Sequence, residues 1–205
     1  MVNLLRMILS LAVPTAVVAR ASAVSESTST IDNLQAAFNG ESNANARYLA
    51  FAKKADEEGY GEVASLFRAA AKAEEIHARN HATVIEKMGA TAVFKLEPVE
   101  VKTTRKNLKA AIEGETYERD IMYPEFLEEA KRQQATAAIR TFTYALKVEA
   151  VHAVLYQDAL DNLEKRKGKS HTYYVCPDCG NTLADLTILK CMICGHARRG
   201  FIAVN

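Results

Sequence analysis

Apolar residues recur at alternating spacings of three and four along four long stretches of the chain, a pattern typical of amphipathic helices that pack as a bundle. The predicted helices run from about Thr30 to Glu58, Glu62 to Lys87, Thr104 to Ala130 and Gln134 to Lys165. The irregular stretch between the second and third helices, residues 90–102, is long for a hairpin. We therefore expect a crossover along the bundle that makes these two helices parallel.

Each predicted helix also carries ionisable residues on its inward, otherwise apolar face. These residues are Glu41, Glu74, His77, His81, Glu115, Glu118, Glu149 and His152. A charge buried in a bundle costs several kcal/mol unless something compensates it, and a bound cation would do so. Taken alone, the spacing around Glu41 favours a solvated side chain. His81 fits a hydrogen-bonded core residue that supports a site better than it fits a ligand.

The third predicted helix combines two inward glutamates with a proline. Its inward face places Glu115 and Glu118 one turn apart and continues to Met122 and Phe126. Pro124 falls inside this pattern, and a proline removes one helical hydrogen bond and clashes with the preceding turn. We expect a kink or a break just before Pro124.

Two Glu-x-x-His motifs, Glu74 to His77 and Glu149 to His152, lie on the second and fourth predicted helices. One such motif is a weak signal. Two of them on alternate helices, with inward glutamates on the other two, match the arrangement that holds two iron or manganese ions in ferritin-like bundles. Oxygen-rich ligand sets with imidazole suit these metals. The sequence therefore predicts a mainly α, ferritin-like four-helix bundle with a site for two metal ions.

All four cysteines lie near the C-terminus in two C-x-x-C motifs, Cys176 to Cys179 and Cys191 to Cys194. This spacing fits one metal ion held by four thiolates better than it fits disulfides, and it leaves iron and zinc about equally acceptable. Residues 173–205 are too few to fold alone without such a staple. We therefore predict a small C-terminal metal domain built on the four cysteines.

The N-terminal residues 1–23 contain an early positive charge, an apolar run and small-x-small motifs, which are typical of a signal peptide. The run is too short to span a bilayer, so we expect export to the periplasm without stable membrane insertion. The alternative is an uncleaved extension on a cytoplasmic protein. The predicted segments are a signal peptide at 1–23, a disordered lead-in at 24–30, the bundle at 31–166, a linker at 167–172 and the four-cysteine domain at 173–205.

The distribution of charge argues against one class of partner. The 205 residues carry a formal net charge of +1, and Lys and Arg are interspersed with Asp and Glu. Nucleic-acid binding proteins usually show a basic patch or stripe. We therefore expect no nucleic-acid partner.

These motifs resemble those of the rubrerythrin family, in which a ferritin-like di-iron bundle is fused to a rubredoxin-like domain. The resemblance covers the chain from about Ile31 to its C-terminus. It is carried by Phe38-Asn39-Gly40-Glu41-Ser42, Glu74-x-x-His77, Gly114-Glu115-x-x-Glu118, Met122-Tyr123-Pro124, Glu149-x-x-His152 and the two C-x-x-C motifs. Similarity to rubredoxin and fusion to a redox-capable bundle favour iron over zinc at the four cysteines.

The resemblance implies roles for individual residues. Two iron ions would be held by Glu41, Glu74, Glu115, Glu118, Glu149 and His152. His77 would exchange with Glu118 as the metals change oxidation state. Tyr48 and Tyr123 would lie close to the metals, bond to the carboxylates and join Glu118 and His77 as catalytic residues, although spacing alone favours core packing for both tyrosines. One iron ion would bind Cys176, Cys179, Cys191 and Cys194.

The resemblance further implies an enzyme of oxidative-stress defence that reduces hydrogen peroxide to water. Electrons would come from an electron-donor redox protein and pass through the iron of the four cysteines. An antiparallel homodimer is also implied, with each four-cysteine site near the partner's di-iron site, since we expect the separation within one chain to be too large for electron transfer. Two alternatives remain: a ferroxidase or iron-handling protein that uses oxygen, and a zinc-stapled bundle that binds a partner without catalysis.

Overall fold

A computed structural model describes residues 28–205, so the predicted signal peptide and most of the predicted lead-in lie outside the described residues. The helices are α1 (Thr30–Glu57), α2 (Gly61–Lys87), α3 (Thr104–Tyr117), a π-helical segment (Glu118–Met122), α4 (Tyr123–Arg132) and α5 (Thr136–Asp161), with short 3-10 turns at Leu163–Arg166 and Arg198–Gly200. Strands β1 (Tyr173–Val175), β2 (Thr182–Leu183) and β3 (Ile202–Val204) form an antiparallel sheet in the order β2-β1-β3. Helices α1, α2 and α5 and the continuous run from α3 through α4 form the predicted bundle. Within residues 28–205, no helix has both the length and the apolar character needed to cross a membrane.

Helix α1 begins at Thr30, the last residue of the predicted lead-in, because a capping box precedes it. The Ser29 hydroxyl accepts a hydrogen bond from the backbone N–H of Asp32, and the Asp32 carboxylate accepts one from the backbone N–H of Ser29. Two N–H groups that have no partner inside the helix are satisfied in this way.

The crossover after α2 is held along α1 by side-chain amides. They belong to Gln35, Asn39 and Asn43, which bind backbone groups of residues 93, 95 and 97. The crossover has no regular secondary structure to pair its backbone N–H and C=O groups. Side-chain amides spaced by one helical turn along α1 supply these hydrogen bonds instead. The stretch ends beside the C-terminus of α1, where the N–H of Thr104 donates to Glu58. The chain thus returns to the end at which α2 begins, and α2 and α3 run parallel as predicted.

The third helix of the bundle is interrupted just before Pro124 by a π-helical segment, at the place where the sequence predicts a kink or a break. The N–H of Tyr123 donates to a carbonyl five residues earlier instead of four. This extra residue shifts the inward face by one position. Tyr123 and Leu127 are buried, whereas Met122 and Phe126, which the sequence pattern placed inward, are only half-buried.

The C-terminal domain packs directly on its own bundle. Tyr173 and Val175 of β1 are buried in the same hydrophobic core as Phe67 of α2. The side chains of Arg79 and Asn80, also on α2, donate to the backbone carbonyls of residues 177 and 178. The expectation that the four-cysteine group lies too far from the bundle site within one chain is therefore wrong.

Candidate metal centres

The four cysteines converge at one point of the C-terminal domain. The sulfur of Cys176 lies 3.4 Å from that of Cys194, the sulfur of Cys179 lies 3.5 Å from that of Cys191, and all four lie within 4.8 Å of one another. Disulfide sulfurs would be about 2.05 Å apart. Metal–sulfur bonds of about 2.3 Å in a tetrahedron place sulfurs about 3.8 Å apart. The group therefore fits one iron or zinc ion.

In the bundle, two groups of four side chains each bring their ligand atoms within 4.8 Å of one another. The first group is Glu41, Glu74, His77 and Glu149, and the second is Glu74, Glu115, Glu149 and His152. Each of these side chains is at most 1 % exposed. Glu74 and Glu149 belong to both groups, so their carboxylates are placed to be shared between two adjacent ions. The possibility that Glu41 is solvated is excluded.

The C-terminal domain sets the tautomers of both histidines. Nε2 of His77 lies 3.0 Å from the carbonyl oxygen of Cys179, which can only accept, so Nε2 carries the proton and Nδ1 is free to bind a metal. Nε2 of His152 lies 3.0 Å from the hydroxyl of Thr182, which itself donates to the carbonyl of Gly180. His152 therefore also carries its proton on Nε2 and turns Nδ1 towards the carboxylates.

Several ligand atoms of these groups are buried without a hydrogen-bond partner among the described residues. They are Oε2 of Glu41, Oε1 of Glu74, Oε2 of Glu115, both carboxylate oxygens of Glu149 and Nδ1 of His152. Nδ1 of His152 lies 3.2 Å from Glu74 Oε1 and 3.1 Å from Glu149 Oε2, yet it makes no hydrogen bond to either. Buried polar atoms are normally paired. Lone pairs that converge without donors are the arrangement that cations satisfy, so the residues fit two metal ions.

The electrostatics of the groups point the same way. Burial raises the pKa of Glu115 to about 8 despite the nearby imidazole of His152. Burial, followed by the carboxylates of Glu74 and Glu149, raises the pKa of Glu41 well above its ordinary value. Burial alone would also raise the pKa of Glu74, but the two imidazoles outweigh it and lower this pKa to about 2. Part of the carboxylate set would thus be protonated at neutral pH unless a cation neutralises it.

Both predicted tyrosines lie against carboxylates of the two groups. The hydroxyl of Tyr48 donates to Oε1 of Glu115 at 2.6 Å, and the hydroxyl of Tyr123 donates to Oε1 of Glu41. Each tyrosine thus occupies one oxygen of its carboxylate, and the other oxygen has no hydrogen-bond partner in the part of the chain that the structure describes. Spacing alone favours core packing for both tyrosines. Both side chains are buried, but their hydroxyls also hydrogen-bond to carboxylates of the site.

Comparison with known proteins identifies the family. A family model described as rubrerythrin matches residues 32–160. The chain is 40 % identical over 179 residues to rubrerythrin-2 of Clostridium acetobutylicum, a match that covers 85 % of this chain and 96 % of the relative. The chain belongs to the rubrerythrin family.

Other known proteins are similar to the chain in sequence or in fold. Nigerythrin of Nitratidesulfovibrio vulgaris is 35 % identical over 176 residues, covering 85 % of this chain and 86 % of nigerythrin. A solved structure of nigerythrin in its fully reduced, all-ferrous state superposes with a TM-score of 0.80 at 33 % identity, over 96 % of this chain and 100 % of that one. Bacterioferritin of Desulfovibrio desulfuricans, at 23 % identity and a TM-score of 0.62, covers 66 % of this chain and 80 % of its own, and shares the fold.

Within this rubrerythrin-family site, Glu118 lies beside the two groups and belongs to neither. It begins the π-helical segment and is half-buried, and burial together with neighbouring carboxylates raises its pKa well above the ordinary value. His77 belongs to the first group, with Nδ1 at 2.9 Å from Glu74 and 3.0 Å from Glu149. Every other predicted bundle ligand lies in one of the groups, so Glu118 is the exception.

Two residues of the rubrerythrin site were not anticipated from sequence. Gly180 packs so closely on the bundle that a Cβ atom would lie 2.6 Å from Nε2 of His77, and its φ is +79°. Thr182 orients His152 through its hydroxyl. A glycine after the first C-x-x-C motif is a visible signal of a tight turn, but nothing in the sequence marks its contact with a helix far away in the chain.

Proposed function

We propose that this rubrerythrin-family chain is a peroxidase that reduces hydrogen peroxide to water. Two iron ions would be held by Glu41, Glu74, His77, Glu115, Glu149 and His152, and a third by the four cysteines. Support comes from two convergent groups of buried ligand atoms, several of which have no hydrogen-bond partner within residues 28–205. A hydrogen bond from His77 to Cys179 joins these groups to the four-cysteine group. When bound, a pair of iron ions supplies the two electrons that O–O cleavage needs, and an iron in four thiolates exchanges single electrons.

The chain's own contribution to electron transfer is a continuous path between the two centres. It runs from the sulfur of Cys179 through its side chain to its carbonyl, across the 3.0 Å hydrogen bond to Nε2 of His77, and through the imidazole to Nδ1. We propose that this path makes one chain sufficient for internal electron transfer. The external electrons would come from a small redox protein.

The residues around the groups hold the carboxylates in position. Tyr48 and Tyr123 each bind one oxygen of a carboxylate through their hydroxyls. The family resemblance implies that Glu118 and His77 exchange as ligands when the oxidation state changes, and we propose the same exchange in this chain. The half-buried position of Glu118 beside the groups leaves it free to serve in one state only.

Rapid mixing of the anaerobic, fully reduced protein with peroxide or with oxygen tests the proposed reaction. We expect peroxide to oxidise the iron centres faster than oxygen does, and faster oxidation by oxygen would instead support the ferroxidase. Glu74→Ala should abolish the peroxide reaction and lower the bundle's iron content. Glu75→Ala provides the matched control, because Glu75 is the neighbouring glutamate with its side chain 57 % exposed.

The metal of the four-cysteine group has its own test. Metal analysis and a visible spectrum of anaerobically purified protein should show iron and the red colour of a ferric centre in four thiolates. Zinc and a colourless protein would support the stapled bundle without catalysis.

Export and dimerisation are further parts of the proposal. Export to the periplasm rests on the N-terminal residues 1–23, and mass spectrometry of the protein from cell fractions would detect both cleavage and location. The homodimer rests on the family resemblance. Sedimentation of the metal-loaded protein would contradict it if the chain were monomeric at micromolar concentration.

A further inference from the structure

His81 is a buried titratable residue to which the proposed function gives no role. Its side chain is 0 % exposed, and both of its ring nitrogens are hydrogen-bonded. Nε2 lies 3.1 Å from the hydroxyl of Tyr123, and Nδ1 lies 3.1 Å from the hydroxyl of Thr141. Burial lowers the pKa of His81 to about 3, so the ring is neutral near physiological pH.

The direction of each hydrogen bond follows from the number of protons available. The Tyr123 hydroxyl has one proton and donates it to Glu41, so it accepts from Nε2 of His81. A neutral imidazole protonated at Nε2 has Nδ1 as an acceptor, and Nδ1 therefore accepts from the Thr141 hydroxyl. All three donors point inward, from Thr141 through His81 and Tyr123 to Glu41.

The outer end of this chain of hydrogen bonds reaches a cleft. Thr141 is 6 % exposed and lines a cleft of about 320 Å³ between α2, α5 and the C-terminal domain. Arg79, Thr83 and Arg140 line the same cleft. Water in such a polar cleft is a proton source at the surface of the protein.

Reduction of peroxide to two waters consumes two protons as well as two electrons, and the site is buried. We propose that His81 is a proton-relay residue that links water in the cleft, through Thr141, to the Tyr123 hydroxyl at the Glu41 edge of the site. This inference rests on the proposed peroxidase function and adds to it the route of the protons.

The relay moves one proton inward for each proton that enters. Water gives a proton to the Thr141 oxygen, the Thr141 proton passes to Nδ1 of His81, and the Nε2 proton passes to the Tyr123 oxygen. Tyr123 in turn passes its own proton to Oε1 of Glu41, which accepts its hydrogen bond, and from this edge of the site the proton is available to a peroxide oxygen that leaves as water. No group in the chain has to ionise during this transfer, which leaves the imidazole with its proton on Nδ1. Nε2 faces Tyr123 and has no path to the cleft through Thr141, so the Nε2–H form is restored when the ring leaves both hydrogen bonds and exchanges its proton with water.

Proton exchange measured without turnover provides the first test. In protein labelled with 15N-histidine and loaded with diamagnetic zinc, NMR reports how fast the His81 ring protons exchange with water. We expect Thr141→Val to slow this exchange about tenfold or more. Thr83→Val is the matched control, because Thr83 lines the same cleft but its hydroxyl donates back to the carbonyl of Arg79. Equal exchange in the two variants would overturn the relay.

Single-turnover oxidation of the reduced iron protein by peroxide provides the second test. His81→Gln retains a donor and an acceptor for Tyr123 and Thr141 but cannot take up a proton at one atom and release it at another. General acid–base catalysis typically contributes about 10²- to 10⁴-fold, so we expect at least a tenfold slower reaction and an altered solvent deuterium isotope effect. Iron content and the spectrum of the four-cysteine centre should stay unchanged, and a wild-type rate and isotope effect would assign His81 a packing role only.

The two tests separate failure of the relay from failure of the peroxidase proposal. If the wild-type protein did not react with peroxide, the proposed function would fail while the exchange experiment still reported on the path. Suppose instead that the wild-type protein reacted with peroxide. If Thr141→Val then kept the wild-type exchange rate and His81→Gln the wild-type oxidation rate, only the relay would fail.

Discussion

His77 donates a hydrogen bond from Nε2 to the backbone carbonyl of Cys179 at 3.0 Å, while its Nδ1 lies 2.9 Å from Oε2 of Glu74. One imidazole thus contacts both candidate metal centres of a single chain. A ligand histidine whose second nitrogen is held in this way has a fixed tautomer and ring orientation. The position of the C-terminal domain therefore controls the geometry of the bundle site.

Gly180 provides a direct test of this contact. Gly180→Ala would place a Cβ atom 2.6 Å from Nε2 of His77 at a φ of +79°, so the Cys179 loop must move away from the bundle. We expect electron transfer from the four-cysteine centre to slow by about tenfold or more. The measurement is the rate at which the red colour of the oxidised four-cysteine centre appears after the reduced protein is mixed with peroxide.

Gly195→Ala is the matched control for that substitution. Gly195 follows the second C-x-x-C motif with a φ of +85°, but an added Cβ would have no neighbour within 4 Å among residues 28–205. Both variants carry the backbone strain of a side chain in the left-handed region, about 1–2 kcal/mol, and only Gly180→Ala adds the clash. Equal rates in the two variants would show that the His77–Cys179 contact does not govern electron transfer.

Loss of the hydroxyl should lower the free energy of unfolding at Tyr48 but not at the neighbouring Tyr156. Tyr48→Phe removes the 2.6 Å hydrogen bond to Glu115, and we expect a loss of about 1–3 kcal/mol in the free energy of unfolding. The Tyr156 hydroxyl is buried with no hydrogen-bond partner within residues 28–205. Tyr156→Phe should therefore be neutral or stabilising. Urea unfolding of both variants checks the contrast, and a larger loss in Tyr156→Phe would contradict it.

The residues of the two candidate groups could be picked out from sequence because helical spacing and the cost of buried charge act locally. Glu-x-x-His places a carboxylate and an imidazole on one helix face whatever the rest of the chain does. The burial of Glu41 was harder to predict, since its own helix leaves a solvated position open. The inward ionisable residues of the other three helices supply the missing indication, because they place a charged site on that side of the helix.

Two features could not be predicted because they depend on packing between distant segments. The π-helical segment shifts the inward face by one residue, so Tyr123 replaces Met122 in the core. Spacing rules assume an uninterrupted α-helix and cannot place such a segment to the residue. The contact of Gly180 and Thr182 with the two histidines is set by how the domains dock, which no local pattern records.

The pH dependence of stability should reverse when metal is removed. The folded-state pKa of Glu115 is raised from 4.5 to about 8, so its stabilising contribution is complete below about pH 4.5 and is lost as the pH rises through about 8. The raised pKa values of His77 and His152 act in the same direction, whereas the lowered pKa of Glu74, about 2, acts below this window. Between its unfolded and its folded pKa, each such group changes the free energy of unfolding by about 1.4 kcal/mol per pH unit.

Urea unfolding between pH 5 and pH 8 measures this effect. We expect the chelator-treated protein to lose stability as the pH rises and the metal-loaded protein to gain it, because metals bind the deprotonated ligands. Glu115→Gln should flatten the slope of the chelator-treated protein. A slope of the same sign with and without metal would contradict the assignment of these groups as ligands.

Glu115 and Glu118 lie one turn apart, and their substitution should separate metal binding from turnover. Glu115 belongs to the second ligand group, whereas Glu118 lies outside both. We therefore expect Glu118→Ala to retain most of the bundle's iron while peroxide turnover falls by at least tenfold, and Glu115→Ala to lose iron and turnover together. Metal analysis and peroxide kinetics on the same samples measure both quantities. If Glu118→Ala lost iron and activity in equal proportion, Glu118 would be a structural ligand, and the exchange with His77 would have no basis.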